Sequence, residues 1–385
     1  MKTNITAQVD ALWQGQGVDF AGCLDVFPVL EQAKTTPQDP VYHGEGDVWT
    51  HTQMVVSELL ALADFQAASE AEHRVLFLAA LLHDVAKYRT TVINEQGRIS
   101  QPGHSKKGAL DARIVLWELG LPFAEREAVC SLIAVHQVPF FAFEDNRHGH
   151  TPQWLCHSLS WQTNIRLLCA LAEADMHGRV CADKSQALDN IALLRELARE
   201  EGCEQTPKAF ANEHTRLRYF QGHEVYPDFA LQMPQGSRVT LMCGLPASGK
   251  NTWVAQHAAG LPVLSYDDTR QRLGLKYGAN EGLVAHAVLE EAKAHLRAKQ
   301  DFVWNATHLS AQMRQKNLAA CFAYDAHVRM VYVEADKATL LKRNHVRDSS
   351  LSNAKLLQML KHWEMPTKLE AHQLTVLGDA GQLMD

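Results

Sequence analysis

Two groups of residues in this chain have the types and spacing to do chemistry, and both point to phosphate. The first is the run Gly244-Leu245-Pro246-Ala247-Ser248-Gly249-Lys250-Asn251-Thr252. It follows an apolar stretch, Val239 to Met242, and precedes residues that can go helical. This is the G-x-x-x-x-G-K pattern of a P-loop. Backbone N–H groups turn inward on a polyphosphate, the helix start adds positive potential, and Lys250 reaches the β- and γ-phosphates. Most such loops continue with Ser or Thr, whose hydroxyl binds Mg²⁺. Here Asn251 takes that place and Thr252 follows. An amide oxygen can still ligate Mg²⁺, so one contact is weakened rather than lost. Further on, Asp267 and Arg270 stand three apart at a strand-to-helix turn. A carboxylate there can take a proton from an attacking hydroxyl, and a guanidinium can clamp a nearby phosphate. Arg343 and Arg347 stand four apart on one helical face of a basic segment, 342–361, whose only acid is Asp348. Such rigid forks suit the spread negative charge of phosphoryl transfer.

The second group is upstream. His83-Asp84 follows Leu81-Leu82 at the end of an apolar helical face, with Lys87 one turn on. A lone His on such a face is ordinarily a core residue. The adjacent Asp is what singles this one out, because an ionised carboxylate there needs a compensating charge, and a divalent metal supplies one. His51, His104, His136 and Asp175 can complete one or two metal sites. Imidazole with carboxylate suits a borderline transition metal. The eight cysteines include no C-x-x-C pair, which argues against a thiolate zinc site and a disulfide framework and suits a reducing cytoplasm.

The elements that must position these residues differ between the two halves. From 49 to 178 the pattern is helical. The faces are Met54, Val55, Leu59, Leu62 and Ala63; Val75, Leu78, Ala79, Leu81 and Leu82; Leu110, Ile114, Val115 and Leu119; Val129, Leu132, Ile133 and Val135; and Ile165, Leu168, Leu171 and Ala172 running into Asp175. A short helix near 7–13, a loop at 34–40 and a helix from 185 to about 201 complete this half. No chemistry is read in residues 1–40. After the P-loop, strands at 262–266, 302–307 and 328–333 alternate with helices at 283–299, 313–322, 337–347 and 352–363. That alternation implies a parallel sheet flanked by helices, with ligands at the strand carboxyl ends. The expected division is a helical domain over 1–201, a connector over 202–236 and an α/β domain over 237–385.

Length and composition fit this division. A chain of 385 residues supports two to three domains, and 46% hydrophobic with 21% charged residues is ordinary for globular proteins. No run of 18 apolar residues and no signal-peptide order occurs, so no membrane partner and a cytoplasmic location are expected. The net charge of −7 hides an asymmetry: residues 1–236 carry −11 and residues 237–385 carry +4. The acidic total argues against coating long nucleic acid, while the basic half permits local phosphate contact.

The order His51, His83-Asp84, Asp175 resembles the HD phosphohydrolase superfamily, over roughly residues 41–180. The resemblance implies an all-α fold in which the two His and two Asp ligate one metal. His104 and His136 fall where two-metal members place further ligands, and Asp84 then bridges the ions. It also implies that Lys87, and Arg179 one turn past Asp175, touch the scissile phosphate. In that chemistry the ions lower the pKa of a bound water and neutralise phosphoester oxygens. His43, His148 and His150 are read as structural or surface residues.

The second half resembles the polynucleotide 5′-kinase family over about residues 238–365. The likeness is carried by the P-loop, Asp267-Asp268-Thr269-Arg270 and Lys342-Arg343-Asn344-His345-Val346-Arg347. It implies that Asp267 is the general base on a 5′-hydroxyl and that Arg270 holds the adjacent nucleotide phosphate. Lys250, Arg343 and Arg347 then act on the phosphates of ATP or another NTP, with Mg²⁺, the last two from a lid. Both halves in this order look like bacterial bifunctional HD-domain–polynucleotide kinase proteins of RNA repair. That implies removal of 2′,3′-cyclic phosphate and 2′-phosphate ends with Ni²⁺, Co²⁺, Zn²⁺ or Mn²⁺, phosphorylation of 5′-hydroxyl ends, and sealing by a separate RNA ligase. The partners implied are RNA ends, with DNA 5′-hydroxyl ends as an alternative acceptor. The competing readings are an HD nucleotide phosphohydrolase fused to a small-molecule, nucleoside-type kinase, and an ATP-binding switch without turnover.

Overall fold

The computed structural model describes residues 5–14, 17–144, 150–276, 278–346, 351–378 and 380–384. The chain divides into two compact units, 1–208 and 209–385. The stretch expected as a connector, 202–236, is therefore shared. Cys203 is buried in the helical core, and the side chain of Trp161 donates to the Lys208 carbonyl at 2.9 Å. Glu213–Phe220 is a helix of the second unit: Glu213 meets His327 at 2.7 Å, and Arg216 donates to the Ala371 carbonyl at 2.9 Å. Its sequence, EHTRLRYF, holds too few apolar residues to show a helical period, so it was invisible to hydrophobic patterning.

The N-terminal unit is helical. Five helices matter to its chemistry: α1 (Val48–Ala61), α2 (Glu70–Leu82), α3 (His104–Leu119), α4 (Phe123–Val135) and α5 (Ile165–His177). The centre is α2. It opens on a Ser69/Glu72 capping box, and every residue from Val75 to Leu82 is buried. A helix apolar on all sides belongs in the middle of a bundle, and this one delivers His83 and Asp84 there.

The face expected for α3 is not the buried one. Leu110, Ile114 and Val115 are only half-buried and Leu119 is exposed. The buried side is Gly108, Ala109, Ala112, Arg113 and Leu116. Here α3 packs against the end of α2: a Cβ on Gly108 would already touch the His83 carbonyl at 3.4 Å, leaving room for a small side chain and little more. The unit also contains elements that patterning did not show: helices Phe20–Val26 and Pro152–Ser160, and a two-stranded hairpin of Val92–Ile93 with Ile99–Ser100. No helix among the described residues is long and apolar enough to cross a membrane.

The C-terminal unit is α/β. Strands β1 (Arg238–Cys243), β2 (Val263–Ser265), β3 (Phe302–Asn305), β4 (His327–Glu334) and β5 (Gln373–Gly378) form one parallel sheet in the order β2-β3-β1-β4-β5. The central strands β1 and β4 read as near-continuous apolar runs because both faces are covered. Strand β5, at the edge, adds to the strands expected after the P-loop; only its last two residues are fully buried. The loop running on from the last helical turn is pinned by Arg314. This guanidinium, 1% exposed, bonds Glu370 at 2.6 Å and the carbonyls of His308, Leu309 and Glu364 at 2.7–3.1 Å. Truncating it would strand those carbonyls. Arg314→Ala is expected to cost the second unit about 3 kcal/mol, read as a drop in the denaturant midpoint of that unit's unfolding.

Candidate metal centre and nucleotide loop

Each metal-ligand candidate of the N-terminal unit stands at a helix end or projects inward from a helix. His51 lies in the first turn of α1, His83 and Asp84 at the end of α2, His104 at the start of α3 after Gly103 (φ +69°), His136 at the end of α4, and Asp175 in the last turn of α5. The fold brings all six together. Asp84 Oδ2 is 3.1 Å from His83 Nε2 and 3.8 Å from His51 Nε2, while Oδ1 is 3.3 Å from His104 Nε2 and 4.0 Å from His136 Nε2. Asp175 Oδ1 is 3.2 Å from His51 Nε2. The two oxygens of Asp84 thus face two different pairs of imidazoles.

The imidazoles are oriented from behind. Nδ1 of His83, His104 and His136 each lies 2.8 Å from the backbone carbonyl three residues earlier, Ala80, Gln101 and Ile133. A carbonyl can only accept, so Nδ1 carries the proton and the inner Nε2 offers a lone pair. The Nε2 atoms of His51, His83, His104 and His136 and both oxygens of Asp84 are buried without a hydrogen-bond partner. Six inward atoms gathered round the two oxygens of Asp84 are a donor set for cations, and imidazole with carboxylate matches a borderline divalent metal. The residues present fit that group. Their ligand atoms fall in groups lying within 4.8 Å of one another: His51, His83 and Asp84; His83, His136 and Asp175; Asp84, His104 and His136.

Charge at the centre follows its surroundings. Burial opposes ionisation of Asp84, but His83, Lys87 and His104 outweigh it and hold the carboxyl well below the usual range. Burial likewise opposes Asp175, which Arg179 and His51 hold low. Lys87 Nζ, 2% exposed, sits 2.7 Å from Asp84 and 2.6 Å from the side-chain oxygen of Gln38. Arg179 grips Asp175 through two bonds of 2.9 Å. Desolvation pushes His136 down to about 3 and His43 down to about 4.

His43, read as structural or surface, is buried with its ring edge-on to His51 at 4.7 Å. Gln38 and Glu45 lie on stretches read as free of chemistry or left unread, yet Gln38 bonds Lys87 and Glu45 Oε1 lies 2.9 Å from His51 Nδ1. The overlooked signal is Gly44 and Gly46 flanking Glu45. A Cβ on Gly44 would stand 2.8 Å from the Val180 carbonyl, a close approach only Gly allows. His150 stacks on Trp154 at 3.7 Å; His148 lies outside the described residues.

In the C-terminal unit the P-loop links β1 to the helix Lys250–His257. Gly244 has φ +132°, and a Cβ there would stand 2.3 Å from the Val333 carbonyl of β4; Gly249 caps the helix at φ +116°. Lys250 Nζ folds back on the Gly244 and Leu245 carbonyls at 2.9 and 2.6 Å, where a phosphate can replace either bond. Asn251 and Thr252 are exposed, and Asn251 Oδ1 accepts from Asn305 Nδ2 at the tip of β3 at 2.9 Å. An amide pair thus occupies the position of the usual Mg²⁺-binding hydroxyl.

Asp267 opens the helix Tyr266–Arg272 after β2, its side chain 74% exposed. Arg270 bonds it at 2.7 Å and also grips Glu281 at 2.9 and 3.1 Å. Expected to face a substrate phosphate, Arg270 is engaged by two carboxylates instead; Glu281 had no part in the sequence reading. Arg343 is exposed in the last turn of Lys337–Val346, and its neighbour Asn344 is the buried one, bonded to the Leu351 carbonyl at 2.6 Å. Arg347 lies outside the described residues.

Comparison with known proteins matches each unit separately. Residues 48–165 match the family model of the HD domain, and residues 239–366 match that of an AAA domain. The chain is a fusion of an HD domain with a P-loop kinase-like domain. Among solved structures, it is similar to a presumed kinase from Chloroflexus aurantiacus J-10-fl, with 17% identity, 38% of this chain and 87% of that one covered, and a TM-score of 0.33. A gluconokinase from Sinorhizobium meliloti 1021 is similar at 17% identity over 39% and 86% of the two chains, with a TM-score of 0.28. No curated protein matches it.

Acid should loosen the HD domain before it neutralises its carboxylates. His43 and His136 are neutral when folded, so below about pH 6.5 the unfolded chain binds more protons than the folded one. In the metal-stripped protein, stability is expected to fall as pH drops from about 6.5 to about 4, measured by denaturant unfolding across that range. A flat profile would mean these imidazoles are not held neutral.

Proposed function

We propose that the protein heals broken RNA ends. The HD domain would remove 2′,3′-cyclic phosphate and 2′-phosphate ends with a transition metal such as Ni²⁺, Co²⁺, Zn²⁺ or Mn²⁺. The P-loop domain would phosphorylate 5′-hydroxyl ends from ATP or another NTP with Mg²⁺. The observation that carries the reading is the convergence of buried, partnerless donor atoms on Asp84 beside two cations, Lys87 and Arg179.

In this reading His51, His83, Asp84 and Asp175 would hold one ion, and the second oxygen of Asp84 with His104 and His136 a further one. Bound there, divalent ions lower the pKa of water and neutralise phosphoester oxygens. The chain itself holds the substrate. Lys87 donates to Gln38 and is ion-paired with Asp84 at 2.7 Å, and its remaining N–H donors can meet a phosphate oxygen. Arg179 is fixed by Asp175 and by stacking its guanidinium 5.0 Å over Phe140, so it presents a rigid edge.

In the kinase half, the substrate hydroxyl oxygen attacks the γ-phosphorus, its proton passes to Asp267, and the bond to the β-phosphate oxygen breaks. Exposure of Asp267 leaves room for an acceptor, and Arg270 at 2.7 Å orients the carboxylate. Lys250 would move from its carbonyls to the β- and γ-phosphates, with Arg343 and Arg347 neutralising the transferred group.

One observation favours a second reading, a small-molecule acceptor. Glu281 and Asp267 already engage Arg270, the residue expected to grip a polynucleotide's adjacent phosphate. The deciding experiment gives the purified protein an oligonucleotide with a 5′-hydroxyl and a 2′,3′-cyclic phosphate, labelled ATP and varied metals, in parallel with nucleosides. Asp84→Asn should slow cyclic-phosphate opening by roughly 100-fold or more and spare phosphorylation; Asp267→Asn should do the reverse. Label on nucleosides but not on the oligonucleotide would establish the second reading.

A further inference from the structure

We propose that Glu45 is a positioning residue of the HD-domain metal centre: its carboxylate sets the orientation and tautomer in which His51 presents Nε2 to the ion. The inference rests on the metal-centre reading above. His83, His104 and His136 stand at helix ends and anchor Nδ1 on a carbonyl three residues back. His51 sits within the first turn of α1 and uses an acceptor from outside its helix. Its Nδ1 donates to the Gly178 carbonyl at 3.3 Å and lies 2.9 Å from Glu45 Oε1, so the carboxylate is the nearer contact and the one that holds the ring by charge.

Glu45 is itself held rigidly. Its side chain is 1% exposed. Oε1 also lies 2.8 Å from His43 Nδ1, and Oε2 accepts the Val180 N–H at 2.8 Å. The backbone beside it is clamped to the same strip of chain, with the Gly44 N–H on the Val180 carbonyl at 2.7 Å. One carboxylate thus joins the loop before α1, the first turn of α1 and the segment that follows Asp175. That fixes His51 against Asp175, the residue 3.2 Å from its other nitrogen. A carboxylate behind an imidazole also raises the basicity of the ligating nitrogen, and losing such a partner typically weakens metal binding.

The test titrates the metal-stripped full-length protein with Co²⁺, reading affinity by competition with a chelator and the visible absorption of the bound ion. The chains compared are wild type, Glu45→Gln, His51→Ala and the double variant. Glu45→Gln keeps the size but loses the charge. Its affinity is expected to fall about 10-fold or more, with a changed absorption spectrum. Because Glu45 acts through His51, Glu45→Gln should cause no further loss on the His51→Ala background. A purely structural role would instead lower affinity equally on both backgrounds and overturn the inference, as would wild-type affinity in Glu45→Gln. If Glu45→Gln does not fold, Glu45→Asp, which keeps the charge, is compared on the same two backgrounds with the same criteria. Failure of the wild-type protein to bind Co²⁺ would overturn the metal-centre reading itself, and this inference with it.

Discussion

A carboxylate at the end of an apolar helix is the constraint on which the N-terminal domain depends. Asp84 is 3% exposed and follows nine consecutive buried residues, Val75 to His83. Burying an unpaired charge costs several kcal/mol even after relaxation, so the chain must surround it with positive partners. Lys87 supplies one from within the same turn, and four imidazoles turn their Nε2 atoms toward it, an arrangement that suits a shared divalent cation. The helix arrangement serves this end. Small residues on α3 allow it to close on the tip of α2, and α1 and α5 meet behind His51 and Asp175. An apolar face with no centre to build would have no reason to place six polar side chains at one junction.

The C-terminal domain meets a different requirement by different means. Its ligand is anionic, so the site is made of backbone N–H groups, a helix start and a lysine rather than of acidic side chains. Parallel pairing of β1 with β3 and β4 places the loop after β1 at the carboxyl edge of the sheet, flanked by the tips of its neighbours. One neighbour, β4, leaves space beside Gly244 only for hydrogen. The other, β3, ends on Asn305, which engages Asn251. An amide pair therefore stands where most P-loops place a Mg²⁺-binding hydroxyl.

Much of this was legible in the sequence, for physical reasons. Long amphipathic helices and apolar parallel strands leave strong periods, so both fold classes and most of the large elements could be read directly. The His-Asp pair stood out because a buried charge needs explaining. What escaped reading lacked such signals. Helix 213–220 is too polar and short, β5 is a half-buried edge, and the buried face of α3 is defined by glycine and alanine rather than by leucine. Gln38 and Glu45 sit on loops, where residues act through long-range contacts that spacing does not encode. Arg270 was readable as a phosphate clamp only because its partner Glu281 is eleven residues away, across a turn.

The central claim is that Asp84 and its ring of imidazoles hold a divalent ion. The most direct test is an anomalous difference map from crystals grown with Co²⁺ or Mn²⁺, collected at that metal's absorption edge. The account predicts a peak about 2.0–2.2 Å from an Asp84 oxygen and from imidazole Nε2 atoms of this set. A peak elsewhere, or none in crystals whose solution binds the ion, would contradict it.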